Sequence, residues 1–160
     1  MAVTQQLARV PDIEFAEVHS TPEWLERILS FETGRPGDHL DLDWARLPLL
    51  RTCEHLDPGP APLSAVKRAL DGEVRIGAGA YGPVMALSSS AVVDIVRGLR
   101  TMDAGALRVA LSDDQADVSG LIGTGFTGDP AEYLTGHFSA LRDFYEGAAS
   151  RGLSVVVWWD

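Results

Sequence analysis

DPAEYLTGHFSALRDFYEGAASRGLSVVVWWD, Asp129 to Asp160, is the stretch that decides the fold. Asp129 suits an N-cap, Pro130 the first helical position, and Glu132 stands third. That is a capping-box arrangement, in which side chains satisfy orphan amides of the first turn. Leu134, Phe138, Leu141, Tyr145 and Ala148 then recur at helical spacing, with Phe144 widening the apolar face. Gly152 suits a left-handed C-cap, and Leu153 to Trp159 is an apolar, β-rich run that predicts a buried strand. In such a strand Trp158 and Trp159 point to opposite faces as packing residues.

Outward from this scaffold, the predicted class is α/β, with α+β as the alternative. The expected architecture is a small mixed β-sheet packed with several helices. Val3 to Val10 reads as a first strand and Pro11 to Val18 as a short helix. Thr21 and Pro22 cap a helix carrying Trp24, Leu25, Ile28 and Leu29, and Gly34, Pro36 and Gly37 turn the chain. Asp43 is the expected cap of a helix running through Leu47, Leu49, Leu50 and Leu56. Pro48 requires that helix either to start late or to kink. After the Asp57–Pro62 loop come a helix over Pro62 to Leu70, stopped by Asp71-Gly72, and short strands at Glu73–Ile76 and Val84–Leu87. Ser88 caps a helix that buries Val92, Ile95, Val96, Leu99 and Met102, with Leu87 and Val92 as a hydrophobic staple. Asp103 and Ser112 read as caps of two shorter helices, and Gly120–Gly128 as a glycine-rich connection.

One domain is expected from 160 residues, and 46% hydrophobic with 22% charged residues is ordinary for a globular protein. No apolar run approaches the roughly 20 residues of a membrane span. Met1 to Val10 lacks the basic and apolar regions of a signal peptide, so a cytoplasmic location is expected. Cys53 stands alone, which excludes an intrachain disulfide and fits a reducing compartment. A formal charge of −10 argues against nucleic acid and against anionic membranes, and it favours a basic protein partner. Composition leaves the oligomeric state open.

No cofactor or metal is expected. Gly77–Gly82 and Gly123–Gly128 both match G-x-G-x-x-G. The first is followed by Pro83 and an extended stretch, and the second by Asp129 and Glu132, whose charge opposes a phosphate. His19, His39, His55 and His137 form no metal-binding spacing; His39, Asp41 and Asp43 read as a solvated loop with a helix cap. Neither Ser119-Gly120 nor the Ser88 run makes a nucleophile elbow, and Cys53 reads as a buried thiol. If catalytic residues converge only in three dimensions, the candidates are Asp41, Asp43, Tyr81, His137 and Tyr145.

Several pieces together resemble the YfbM-like family, a domain of unknown function. They are Leu40-Asp41-Leu42-Asp43 before a helix, Pro62-Leu63 leading to Leu70-Asp71-Gly72, and Tyr81-Gly82-Pro83 with Leu87-Ser88 and Val92. The closing helix, with Leu141, Phe144-Tyr145, Ala148-Ala149 and Gly152, is the last. The resemblance implies helices around a small mixed sheet and supplies no catalytic residues. Members often carry Trp and His in the helix after the L-D-L-D piece; here the tract reads Ala45-Arg46-Leu47-Pro48-Leu49-Leu50-Arg51, which implies a lost or altered pocket there. The function expected is a non-catalytic binding or interaction module. Its alternatives are a small hydrolase-type enzyme and an acidic immunity-type protein that binds a basic toxin.

Overall fold

The computed structural model describes residues 3–12, 22–113, 120, 122 and 126–160. Within them, strands β1 (Gln5–Pro11), β2 (His39–Asp41), β3 (Val74–Gly79), β4 (Gly82–Leu87) and β5 (Leu153–Trp159) form one sheet in the order β2-β1-β5-β4-β3. The helices are α1 (Pro22–Leu29), α2 (Arg46–Leu56), α3 (Pro60–Asp71), α4 (Ser89–Arg100), α5 (Ala104–Asp113) and α6 (Pro130–Ser150).

The quoted stretch folds as its residues require. Asp129 Oδ1 accepts from the amides of Ala131 (2.8 Å) and Glu132 (3.2 Å), and Pro130 opens the helix. Leu134, Phe138, Leu141, Phe144, Tyr145 and Ala148 are buried. Gly152 follows at φ +62° and turns the chain straight into β5, the central strand. Alternation along β5 serves two cores. Leu153, Val155 and Val157 meet the helices α2 to α6, while Val156 and Trp158 meet Trp24, Leu25 and Ile28 of α1 on the other face. A strand covered on both sides needs a near-continuous apolar sequence, which is what Leu153–Trp158 supplies.

A Cβ placed on Gly152 finds nothing within 4 Å, so a side chain there would be disfavoured by the backbone alone. Gly152→Val is expected to destabilise by about 1–2 kcal/mol, the cost of a left-handed residue with a Cβ. Urea unfolding would show it as a lower midpoint at unchanged slope. A neutral result would mean that the helix is not held by this cap.

Several expectations need correction. The sheet, expected to be mixed, pairs antiparallel at every described junction. The β3–β4 hairpin dictates one such pairing, and the described part of the connection from β4 to β5 already holds α4, α5 and α6 rather than a single crossover helix. Asp43 does not cap α2. That helix starts late, after Ala45, with Pro48 inside its first turn and no side-chain cap. Asp43 sits at φ +51°, outside the extended conformation an N-cap adopts. Helix α3 begins two residues early, at Pro60, and the strand expected at Glu73–Ile76 runs on to Gly79. Ser112 falls within α5, and the residues after Asp113 that it is expected to cap lie outside the described residues. The first G-x-G-x-x-G is the β3–β4 turn, with Gly82 at φ +147°. Residues 13–18 of the expected Pro11–Val18 helix, Thr21, and Gly123–Gly125 of the second glycine match lie outside the described residues.

Two long-range bonds finish α3. The last carbonyls of a helix have no helical donor. The Tyr145 hydroxyl donates to Ala69 O (2.7 Å) and Gln5 Nε2 donates to Leu70 O (2.6 Å), so α6 and β1 together cap α3.

Candidate functional site

Pro11 of β1 pairs with Leu153 of β5, and beside this end of the sheet lies a cleft of about 790 Å³. Its walls come from the ends of these strands, from α1, from the loop ahead of β2, and from Arg151 at the end of α6. Four arginines, Arg9, Arg27, Arg35 and Arg151, line it together with Trp24 and the carboxylates of Glu32 and Asp38.

Asp38 organises the wall. Its loop is turned by Gly34 (φ +90°) and Gly37 (φ +87°), and its backbone carbonyl accepts from the Arg9 amide at 2.8 Å. The side chain, 5% exposed, accepts a two-pronged hydrogen bond from the Arg151 guanidinium, whose second prong measures 3.2 Å. The Arg35 amide adds a bond at 3.0 Å, and Arg9 Nη1 stands at 3.5 Å. Burial works to raise the Asp38 carboxyl; the bonds from Arg151, the Arg35 amide and Arg9 outweigh it and hold the group below the ordinary range.

Arg9 is embedded. Nε donates to Phe144 O (3.0 Å), Nη1 to Gly37 O (3.1 Å) and Nη2 to Asp143 O (3.4 Å), and the guanidinium lies 4.4 Å from the Phe144 ring centroid. Gly147 on α6 makes room for it, since a Cβ there would come within 2.5 Å of Nη2. Burial lowers the Arg9 pKa, partly offset by Asp38. Arg27 and Arg35 are exposed, and among the described residues their guanidinium groups make no ion pair or hydrogen bond. Among the described residues the cleft therefore has an inner wall on which two arginines share one carboxylate, and two further arginines without a side-chain partner.

The candidates chosen from sequence fall into three places. Asp41, Asp43 and His137 come together around a residue the sequence did not single out, Tyr133. The Tyr133 hydroxyl donates to Asp43 Oδ2 (2.9 Å), His137 packs edge-on to the Tyr133 ring at 4.4 Å, and Asp41 Oδ1 accepts from the Asp43 amide at 2.7 Å. Burial, then the hydrogen bond to Asp43, pushes the Tyr133 phenol well up. Burial lowers His137 against the opposing pull of Asp43 and Asp41. The expected solvated loop with a cap becomes an anchor for α6. Tyr81 is apart from these, exposed on the turn at the opposite edge of the sheet from β2. Tyr145 is wholly buried, and burial raises its phenol far above the ordinary value. None of the five lines the arginine cleft.

His39 is half-buried between Phe31 (5.3 Å between ring centroids) and Trp158 (6.5 Å); burial lowers its pKa against the charge of Asp38. Cys53 is buried, and loss of solvation pushes its thiol up to about 12, so it stays protonated and unreactive at neutral pH. Among the described residues no three His, Cys, Asp or Glu side chains gather as a metal set, and no helix is long and apolar enough to cross a membrane.

These shifts predict a two-step acid response. His39 and His137 have folded pKa values below the unfolded one, so the unfolded chain takes up protons first. Stability is expected to fall as pH drops below about 6.5, and to level off once the folded histidines protonate. The depressed Asp38 contributes stability present above the unfolded carboxylate pKa of about 4 and lost as pH falls through its lower folded value. Urea midpoints between about pH 7 and 3 would trace both steps, and His137→Gln should flatten the upper one. A midpoint unchanged from pH 7 to 5 would overturn the histidine assignment.

The fold and site define an α/β protein whose sheet pairs antiparallel at every described junction, with helices on both faces and an arginine-lined cleft at one end of the β1–β5 strand pair. The chain belongs to the DUF1877 family, a domain of unknown function, whose profile matches residues 1–158. Its fold is that of YfbM from Escherichia coli, described as a protein of unknown function, with a TM-score of 0.62 and 17% identity over 96% of this chain and 98% of that one. No curated protein matches the chain.

Sequence reasoning missed Arg9, Arg27, Arg35, Asp38 and Arg151. One signal was legible: Arg9 interrupts a strand whose neighbours Leu7, Ala8 and Val10 are all apolar, and a charge at such a position needs a partner.

Proposed function

We propose that this is a non-catalytic binding module whose arginine-lined cleft takes a small ligand bearing a carboxylate or phosphate group. The observation behind the reading is the sign of the charge. Among the described residues, four of the chain's 13 lysines and arginines stand on one cleft with the carboxylates of Glu32 and Asp38, in a protein of formal charge −10. A walled cleft whose arginines outnumber its carboxylates presents a net positive field to a ligand, and guanidinium forks match oxyanions geometrically. Arg9 and Arg151, committed to Asp38 and to backbone carbonyls, hold the wall; Arg27 and Arg35 meet the ligand. A volume near 790 Å³ suits a small molecule. The lone buried thiol of Cys53 fits the cytoplasm as the module's setting.

Titration calorimetry with inorganic phosphate and with citrate tests the proposal and separates the two anion classes. Saturable binding of at least one at about 1 mM or tighter, about −4 kcal/mol, is expected. It should weaken about tenfold or more in the Arg27→Gln/Arg35→Gln double variant, and also with added salt. No saturable binding of either anion overturns the reading.

The two alternatives have their own tests. An immunity-type role would use the acidic remainder of the surface, and a basic protein retained equally by wild type and double variant at low salt would favour it. A hydrolase would have to use Asp43, Tyr133 and His137, the one group the candidates form. Turnover of simple phosphate and carboxylate esters that disappears in His137→Ala would favour that reading.

A further inference from the structure

The strand pair β1–β5 carries the arginine cleft at the end where Pro11 faces Leu153. At its other end Gln5 faces Trp159, about 20 Å away at strand rise. There the sheet meets the end of α3 and the start of α2, leaving a recess of about 250 Å³. Leu70, Pro83, Met85, Val157 and Trp159 make its walls largely apolar, and Arg46 and Asp71 close one side with an ion pair. The Arg46 guanidinium also lies 6.0 Å from the Trp159 ring centroid.

Gln5 is the exception on this wall. It is 1% exposed, and its orientation is fixed because a carbonyl accepts only from N–H: Nε2 must be the atom that meets Leu70 O at 2.6 Å. Oε1 is then the other atom, and among the described residues it has no hydrogen-bond partner. A buried acceptor left unpaired costs about 1–3 kcal/mol, so a group that supplies a donor gains more there than at the surface. Among the described residues the other buried side-chain atoms without a partner are His39 Nε2 and Trp158 Nε1, neither of them on a residue lining this recess, and the buried Tyr145 hydroxyl at the end of α3 is paired with Ala69 O.

We propose that this recess is a second binding site, separate from the arginine cleft, for a small, neutral aromatic compound, of the size of phenol or indole, carrying one N–H or O–H donor. The walls select the apolar ring, and Trp159 offers it an aromatic surface. The donor is selected by Gln5 Oε1. At about 250 Å³ the recess falls below the size that holds drug-like ligands, so the occupant is fragment-sized. Nothing in this site requires a charged ligand, because Arg46 and Asp71 already neutralise each other. The proposal stands whether or not the arginine cleft binds anions.

The test is titration of the folded chain with phenol and indole, and with benzene as the ring that has no donor, followed by nitrogen–proton NMR. Expected is saturable binding of phenol or indole, with the Gln5 side-chain amide signals among those that shift, and about tenfold weaker binding of benzene. That ratio corresponds to one hydrogen bond of about 1.4 kcal/mol. Met85→Phe, which fills the recess and leaves the Gln5 and Tyr145 bonds to α3 in place, should abolish binding while the chain stays folded. Gln5→Met should bring phenol down to the benzene level. Because Gln5 also caps α3, that variant is read only if its spectrum stays folded, and Met85→Phe decides the matter otherwise. Benzene binding as tightly as phenol, shifts confined to other parts of the chain, or no saturation by any of the three would each overturn the proposal.

Discussion

Asp38→Ala is expected to cost about 3 kcal/mol or more, because it leaves the Arg9 guanidinium buried without its carboxylate. The Arg9 side chain is only 15% exposed, at the cleft wall, so water can replace only part of what the carboxylate supplies. It is held by carbonyls of Phe144, Asp143 and Gly37 and lies over the Phe144 ring. The change also unties Arg151 from the loop, so the cleft should lose its inner wall and its anion affinity together. Asp38→Asn retains shape and one acceptor and should lose less than Asp38→Ala. The comparison is Arg97→Ala, which breaks an exposed pair with Asp94 and should change stability by less than ~0.5 kcal/mol. Urea midpoints for the three variants make the measurement. An Asp38→Ala loss under ~1 kcal/mol would mean that the pair is hydrated in solution, and that the cleft's electrostatics need a different account.

Tyr145→Ala should be as damaging for a different reason. The ring is wholly buried between α6 and the helices that pack on it, and truncation leaves a cavity worth about 3–5 kcal/mol by analogy with other aromatic deletions. Tyr145→Phe isolates the hydroxyl. It strands the Ala69 carbonyl at the end of α3 and should cost about 1–2 kcal/mol. Tyr81→Ala, at an exposed hairpin turn, should stay within ~0.5 kcal/mol. The three values together separate a structural tyrosine from a solvent-facing one. If Tyr145→Phe left stability intact but changed ligand binding, the hydroxyl would be a contact residue, and the assignment of Tyr145 to the core would fail.

The legible part of the fold was local. Caps and periodicity announce themselves over a few residues: Asp129 before Pro130, Ser88 accepting from the Ala91 amide at 3.2 Å, and Gly152 at positive φ. The errors came where distant partners changed a local preference. Asp43 has the side chain of a helix cap, yet Tyr133, ninety residues on, takes its carboxylate, and the helix begins later without a side-chain cap. The ring contact of His137 with Tyr133 is an i,i+4 pair within α6, but the bond that ties Tyr133 to Asp43 needed both the helix and the β2 loop to be in place. Of the candidate residues, Asp41, Asp43 and His137 were brought together, Tyr81 and Tyr145 were not, and the arginine cleft was missed altogether.

By itself the sequence determined the elements and their order: helix spacing, capping chemistry and apolar strand runs act within a few turns of chain, so neighbouring residues suffice to read them. It also determined that β5 is a core strand, because six apolar residues and one serine leave no face for water. Only the tertiary structure decided how the strands pair, which side chains cap α3, and that arginines from positions 9, 27, 35 and 151 share one cleft. Those outcomes depend on contacts between residues near opposite ends of the sequence, such as Thr4 with Asp160 and Asp12 with Ser154. A charge has no periodicity that betrays its partner. Where Asp38 stands relative to Arg9 and Arg151 is set by packing on both faces of β5, and β5 is the one element the quoted stretch had already placed at the centre.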